Sequence, residues 1–259
     1  MITLNTTIWD GDFDSVLDET SWFFCYQHPL VTEKMLTVNN IRPENKDRLL
    51  SKIKKIQEKH SVKIVWVDEK KEEAKKFFNI DINEKTLGYY YTIQYFVFIL
   101  ECKTPYIFNV SADCDVYFED DFLKDSIEIL EKDPYAITTT LPWSIDTSVG
   151  QHEENEMFRI IHKKMPLLEK FYYSIGFSDN TFIGNIEKLK KINYNLDHPL
   201  AQYFPLYGGN CFEKRVCSYF LHTESYRLIY KKYHYIHNTP TPPTLGQRII
   251  RKIKKLFKA

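Results

Sequence analysis

The chain has 259 residues, enough for a full core in one α/β domain or at most two small ones. Its 35 acidic and 35 basic residues balance, which argues against a general nucleic-acid binder, and no nucleic-acid partner is expected. The five cysteines are odd in number and include no Cys-x-x-Cys, so free thiols in a reducing compartment are expected rather than a disulfide or zinc framework.

The N-terminus Met1-Ile2-Thr3-Leu4-Asn5 shows no basic region followed by an apolar run, so no signal peptide is expected. No stretch is long and apolar enough to span a bilayer, and the expected location is cytoplasmic. Residues 2–8 read as a first strand, followed by an acidic loop through Asp10, Asp12 and Asp14, read as solvated because no apolar strand frames it. Met35 to Asn39 reads as a second strand. Asn45 to Lys59 is a helix with Leu49, Leu50, Ile53 and Ile56 on one face. Val62 to Val67 is a third strand closed by Asp68, and Glu69 to Phe78 a short charged helix. Leu87 to Glu101 is a helix that Thr104-Pro105 ends.

Tyr106 to Phe118 then reads as one buried strand carrying Asp113-Cys114-Asp115. Alternation along a strand points Asp113 and Asp115 the same way and Cys114 into the core. Two hard oxygen ligands at a strand's carboxyl end suit Mg²⁺ or Mn²⁺ working with substrate phosphates. Asp121 to Lys132 is a helix and Tyr135 to Thr140 a strand; Pro142 to Met157 is a polar loop bordered by Arg159 and His162. Ser178 to Ile183 and Arg227 to His237 read as strands, and Phe212 to Leu221 as a helix. This order of elements implies an α/β class with a mainly parallel, Rossmann-type sheet flanked by helices. A single domain is expected over 1–239, followed over 240–259 by a Pro-rich linker and tail.

On these residues the chain resembles a GT-A glycosyltransferase of the family 2 type. Asp113-Cys114-Asp115 matches the family's DxD motif. The resemblance implies donor binding by Thr6, Asn39, Asp68 and Asp113, and metal binding by Asp113, Asp115 and the late His237. Ser178 to Asn185 resembles the strand on the acceptor side, and Gly208 to Arg215 the segment with the catalytic carboxylate. Glu213 is then the base and Asp179 its competitor; a single Glu213 followed by Lys214 stands where an acidic pair is usual. The implied donor is a nucleotide-diphosphate sugar, with UDP favoured, the cofactor Mn²⁺ or Mg²⁺, and the acceptor a glycan or lipid-linked glycan.

The chemistry stands beside the resemblance. A metal at Asp113 and Asp115 would stabilise a diphosphate leaving group. A carboxylate could deprotonate an acceptor hydroxyl during attack from the opposite face, which inverts the anomeric centre. Lys214 and Arg215 could touch a phosphate or be solvated helix charges. Two rivals are a sugar-nucleotide nucleotidyltransferase and a non-catalytic glycan-binding protein. The first normally needs a Gly-rich phosphate loop, and Trp9-Asp10-Gly11-Asp12 has one glycine. In the tail, Ile249, Ile250, Ile253, Leu256 and Phe257 share one helical face and basic residues cover the rest. Such a basic amphipathic helix can lie on an anionic membrane, which would make the protein peripheral on an inner membrane face.

Overall fold

Apolar strands alternate with amphipathic helices, and the resulting sheet has a core on each face. The structure is a computed structural model that describes residues 1–85, 88–143, 166–203 and 211–237. β1 (Ile2–Ile8) is buried along its whole length because it lies between two parallel neighbours, β2 (Val31–Val38) and β4 (Tyr106–Val110). β3 (Lys63–Trp66) forms one edge, and the full order is β3-β2-β1-β4-β8-β6-β9-β7. β8 (Thr181–Asn185) runs antiparallel to both β4 and β6 (Ala136–Thr140). β9 (Tyr226–Tyr230) runs parallel to β6, and β7 (Phe171–Ser174) antiparallel to β9.

On one face Leu4, Leu36 and Phe108 meet α3 (Lys46–Lys59) through Leu49, Ile53 and Ile56, and α6 (Asp120–Lys132) through Phe122, Leu123 and Leu130. On the other, Met35, Val65 and Ile107 pack under α4 (Val67–Phe77), α5 (Tyr89–Glu101), α7 (Ile186–Lys191) and α8 (Phe212–Thr223). α5 is buried at nearly every position, as a helix that is hydrophobic all round must be. Each such aliphatic or aromatic side chain contributes about 1.5–3 kcal/mol of transfer free energy. Two short helices, α1 (Phe13–Val16) and α2 (Trp22–Cys25), lie between β1 and β2.

The expected single strand over Tyr106 to Phe118 is two strands. Ser111 N–H donates to the Asn180 carbonyl and Cys114 N–H to Ser111, which closes a turn and takes the chain off the sheet. β5 (Cys114–Tyr117) instead pairs with β10 (His234–His237) in a separate two-stranded sheet. Arg227 to His237 likewise divides between β9 and β10, with Tyr235 N–H donating to the Pro142 carbonyl. β2 starts at Val31, four residues before the expected start, because its pairing with β1 reaches back to Ile2. β8 starts at Thr181, which leaves Asp179 in the preceding bend. The expected Pro142–Met157 loop lies outside the described residues beyond Trp143, as do Arg159, His162, the linker and the basic tail. Among the described residues no helix is long and apolar enough to cross a membrane.

Candidate functional site

The carboxyl ends of β1 and β4 open into a cleft of about 340 Å³. Thr7, Trp9 and Asp12 line it after β1, and Asn109, Ser111 and Asp113 after β4. α5 supplies Tyr91, Gln94 and Tyr95; the bend before β8 supplies Asp179; the start of α8 supplies Glu213. Gly88 precedes α5 at φ 79°, where a side chain would be strained, and brings the helix start against Cys211. A larger, shallower groove of about 790 Å³ lies by the amino ends of β2 and β3, lined by His28, Lys34 and Lys63. None of the expected site residues borders it, so the smaller cleft is the candidate site.

Asp113 sits in the turn before β5, and Asp115 on β5 itself; both side chains are exposed. The alternation expected to point both the same way therefore does not apply to them. Asp113 lines the cleft and Asp115 does not. Cys114 is half-buried against the core, with its Sγ 3.9 Å from Asp113 Oδ1. Burial pushes its thiol up, and the Asp113, Asp179 and Asp115 carboxylates add to that. The His237 backbone pairs with Cys114, and its side chain lies outside the described residues.

Asp12 is where the acidic loop departs from expectation. The buried Phe13 anchors α1, which turns Asp12 inward. Its Oδ1 accepts from Trp9 N–H at 2.6 Å. Burial, with the nearby Asp113 carboxylate adding to it, pushes the Asp12 carboxyl up to about 6. Asp10 and Asp14 do face outward, Asp10 toward Arg42 and Asn45, Asp14 toward Lys52 at 2.8 Å and Arg48 at 3.1 Å.

Among the described residues no three side chains of metal-ligating type converge on one point. Asp113 and Asp115 each offer exposed hard oxygens, two residues apart. That donor set fits Mg²⁺ or Mn²⁺, which keep several waters and use one or two carboxylates plus substrate phosphates.

Glu213 and Asp179, rivals for one role in the sequence, stand together. Both line the cleft, and the charge and hydrogen bonding of Asp179 act on the Glu213 carboxyl. Neighbouring carboxylates oppose one another's ionisation. Burial, then the Asp179 charge, push Glu213 up, while the Arg227 guanidinium on β9 opposes this. Glu213 is placed by its neighbour Phe212, whose N–H donates to Thr92 Oγ1 at 3.2 Å.

The expected donor-binding residues are not brought together. Thr6 faces the α3 side, and alternation gives the cleft Thr7 instead. Asn39 is 3% exposed, and its Nδ2 donates to the Tyr90 carbonyl and to Gln94 Oε1, both at 2.9 Å. Asp68 lies in the first turn of α4, with its side chain 70% exposed and paired to Lys71 at 3.2 Å. Lys214 pairs with Asp197 at 2.8 Å, and Arg215 is buried, with its Nη1 donating to the Tyr194 carbonyl at 2.9 Å. Neither is a solvated phosphate contact. An aromatic pair missed in the sequence, Trp9 and Tyr91, has ring centroids 4.6 Å apart at the cleft.

No family model matches the sequence, and no curated protein matches it closely enough to count as a relative. Solved structures do resemble it. Mouse xyloside xylosyltransferase 1 is 12% identical with a TM-score of 0.48, over 88% of this chain and 84% of that one. Glucosyl-3-phosphoglycerate synthase from Mycobacterium tuberculosis, solved with Mn²⁺, UDP and glucosyl-3-phosphoglycerate, is 11% identical with a TM-score of 0.44, over 100% and 79%. GalNAc-T7, solved with UDP, GalNAc and Mn²⁺, is 11% identical with a TM-score of 0.50; the match covers 92% of this chain and 43% of that one. At these identities the likeness is one of architecture: this chain has the GT-A fold.

Proposed function

We propose that this protein is a metal-dependent glycosyltransferase that moves a sugar from a nucleotide diphosphate, UDP favoured, to a glycan or lipid-linked acceptor with inversion. The observation that carries the reading is one cleft, at the carboxyl ends of β1 and β4, that joins Asp113 to the Asp179–Glu213 pair. GalNAc-T7, which shares the fold, was solved with UDP, GalNAc and Mn²⁺, and this supports a nucleotide-sugar donor here.

Asp113 and Asp115 would hold Mn²⁺ or Mg²⁺. When bound, such an ion supplies positive charge against the departing diphosphate. Trp9 and Tyr91 offer a ring surface on which a base can stack. The ionised member of the Asp179–Glu213 pair takes the acceptor's hydroxyl proton. The acceptor oxygen forms a bond to the anomeric carbon as the bond to the diphosphate oxygen breaks, and the nucleoside diphosphate leaves. Attack from the face opposite the leaving group inverts the centre. The basic tail would hold the enzyme at an anionic membrane surface, near a lipid-linked acceptor in surface polysaccharide or glycoconjugate synthesis.

The test is a panel of nucleotide sugars with the full chain and Mn²⁺, reading release of nucleoside diphosphate. Metal-dependent release from one donor supports the reading. No release and no thermal stabilisation with any donor would leave a glycan-binding protein on this fold.

A further inference from the structure

Uncharged polar side chains in the core reach one atom, the Asp179 carbonyl oxygen, along two lines. In the first, Thr37 Oγ1 on β2 donates to Asn5 Oδ1 on β1 at 2.8 Å. Asn5 Nδ2 donates to Asn109 Oδ1, its register partner on β4, at 2.8 Å. Asn109 Nδ2 then donates to the Asp179 carbonyl at 3.0 Å. The second comes from α5, where Asn39 Nδ2 donates to Gln94 Oε1 at 2.9 Å beside Tyr95. The Tyr95 hydroxyl donates to the same Asp179 carbonyl at 3.2 Å.

Thr37 and Asn5 are fully buried, Asn109 is 2% exposed and Tyr95 3%. Apolar side chains would fill these strand and helix positions without needing partners, whereas buried amides are costly unless every group is satisfied. The two lines therefore specify a position. They pin the Asp179 carbonyl from β4 and α5, beside Glu213 in the cleft.

We propose that Asn109 and Tyr95 are positioning residues that hold Asp179 beside Glu213 in the cleft. That this pair is the base rests on the proposed function; that it is held together by these contacts does not. The charged and titratable groups facing the pair are Tyr95 from α5, Arg227 from β9, Cys211 and Cys217 at α8, and Cys114 from β5.

The experiment uses the full chain as wild type, Tyr95→Phe, Asn109→Ser and Glu213→Gln. Infrared spectroscopy across pH follows the carbonyl band of the protonated carboxyl, identified by its loss in Glu213→Gln. The expected result is that its midpoint falls by at least about one pH unit in Tyr95→Phe and Asn109→Ser, toward the ordinary carboxylate range. Unchanged midpoints would overturn the proposal. Tyr95→Phe keeps the ring packed on Phe212, so it decides the matter even where Asn109→Ser does not fold. With an active donor, Tyr95→Phe should lower kcat by roughly 10- to 100-fold with little change in donor KM, and should add nothing to Asp179→Asn. If the midpoints move but no donor is turned over by wild type, the positioning stands and the glycosyltransferase reading fails.

Discussion

The Tyr95 ring stacks on the Phe212 ring at 4.7 Å and 15°, so α5 is joined to the first residue of α8, directly before Glu213. Phe212 also meets Phe96 at 5.3 Å, and Phe177 and Tyr194 at 5.5 Å. The aromatic cluster that stabilises this half of the core thus also sets where the carboxyl group enters the cleft.

Phe212→Ala should destabilise the protein by about 3–5 kcal/mol, the range for emptying a buried aromatic site. Urea denaturation checks this. Phe212→Leu, which refills most of the volume, should recover much of the loss; equal losses in both would mean that ring stacking rather than volume matters.

Asp115→Ala should abolish metal-dependent nucleotide binding and transfer. The motive is the pair of exposed carboxylates at the turn into β5. Calorimetric titration of UDP with and without Mn²⁺ checks it, and an unchanged Mn²⁺ effect would remove Asp115 from the metal site.

Glu213→Gln should keep donor binding and lower turnover by roughly 10²–10⁴-fold, the usual contribution of a general base. It should also change how stability depends on pH. Glu213 is raised above its ordinary 4.5 in the folded protein, first by burial and then by Asp179. Between pH 4.5 and that raised value Glu213 binds more protons in the folded state than in the unfolded state, so its contribution to stability is fully present below pH 4.5 and is lost as pH rises. Thermal melts from pH 5 upward should therefore be flatter for Glu213→Gln than for wild type. Near-normal turnover in this variant, with Asp179→Asn inactive, would assign the base to Asp179 alone.

Deleting residues 246–259 should leave donor hydrolysis intact and weaken binding to anionic vesicles. Each basic residue near such a surface contributes about 1 kcal/mol, a term that salt screens. Vesicle sedimentation at low and high salt reads the effect. Equal pelleting of both forms would remove the membrane role, and a large drop in melting temperature would point to a docked helix instead.

Periodicity along the sequence was sufficient for the sheet's parallel half and the helices over it. Leu49, Ile53 and Ile56 bury as their spacing requires, and β1 and β4 read as apolar runs. The carboxylates Asp113, Asp179 and Glu213 could also be picked out, since acidic residues beside a buried strand or at a helix start are visible locally. What stayed hidden depends on contacts between residues far apart in the chain. Asp12 looked like its neighbours Asp10 and Asp14 until α1 folded and turned it toward Asp113. Thr6 and Thr7 differ only in which face of β1 they occupy, and that is decided by the helices on each side. Asn5, Asn39 and Asn109 carried a signal, amides inside or just after apolar strands, but their partners lie 104, 55 and 70 residues away. Hydrophobic pattern is a property of neighbours along the chain and specifies secondary structure. A raised carboxyl or a satisfied buried amide is a property of neighbours in space, so only the tertiary structure could bring Asp179 and Glu213 together.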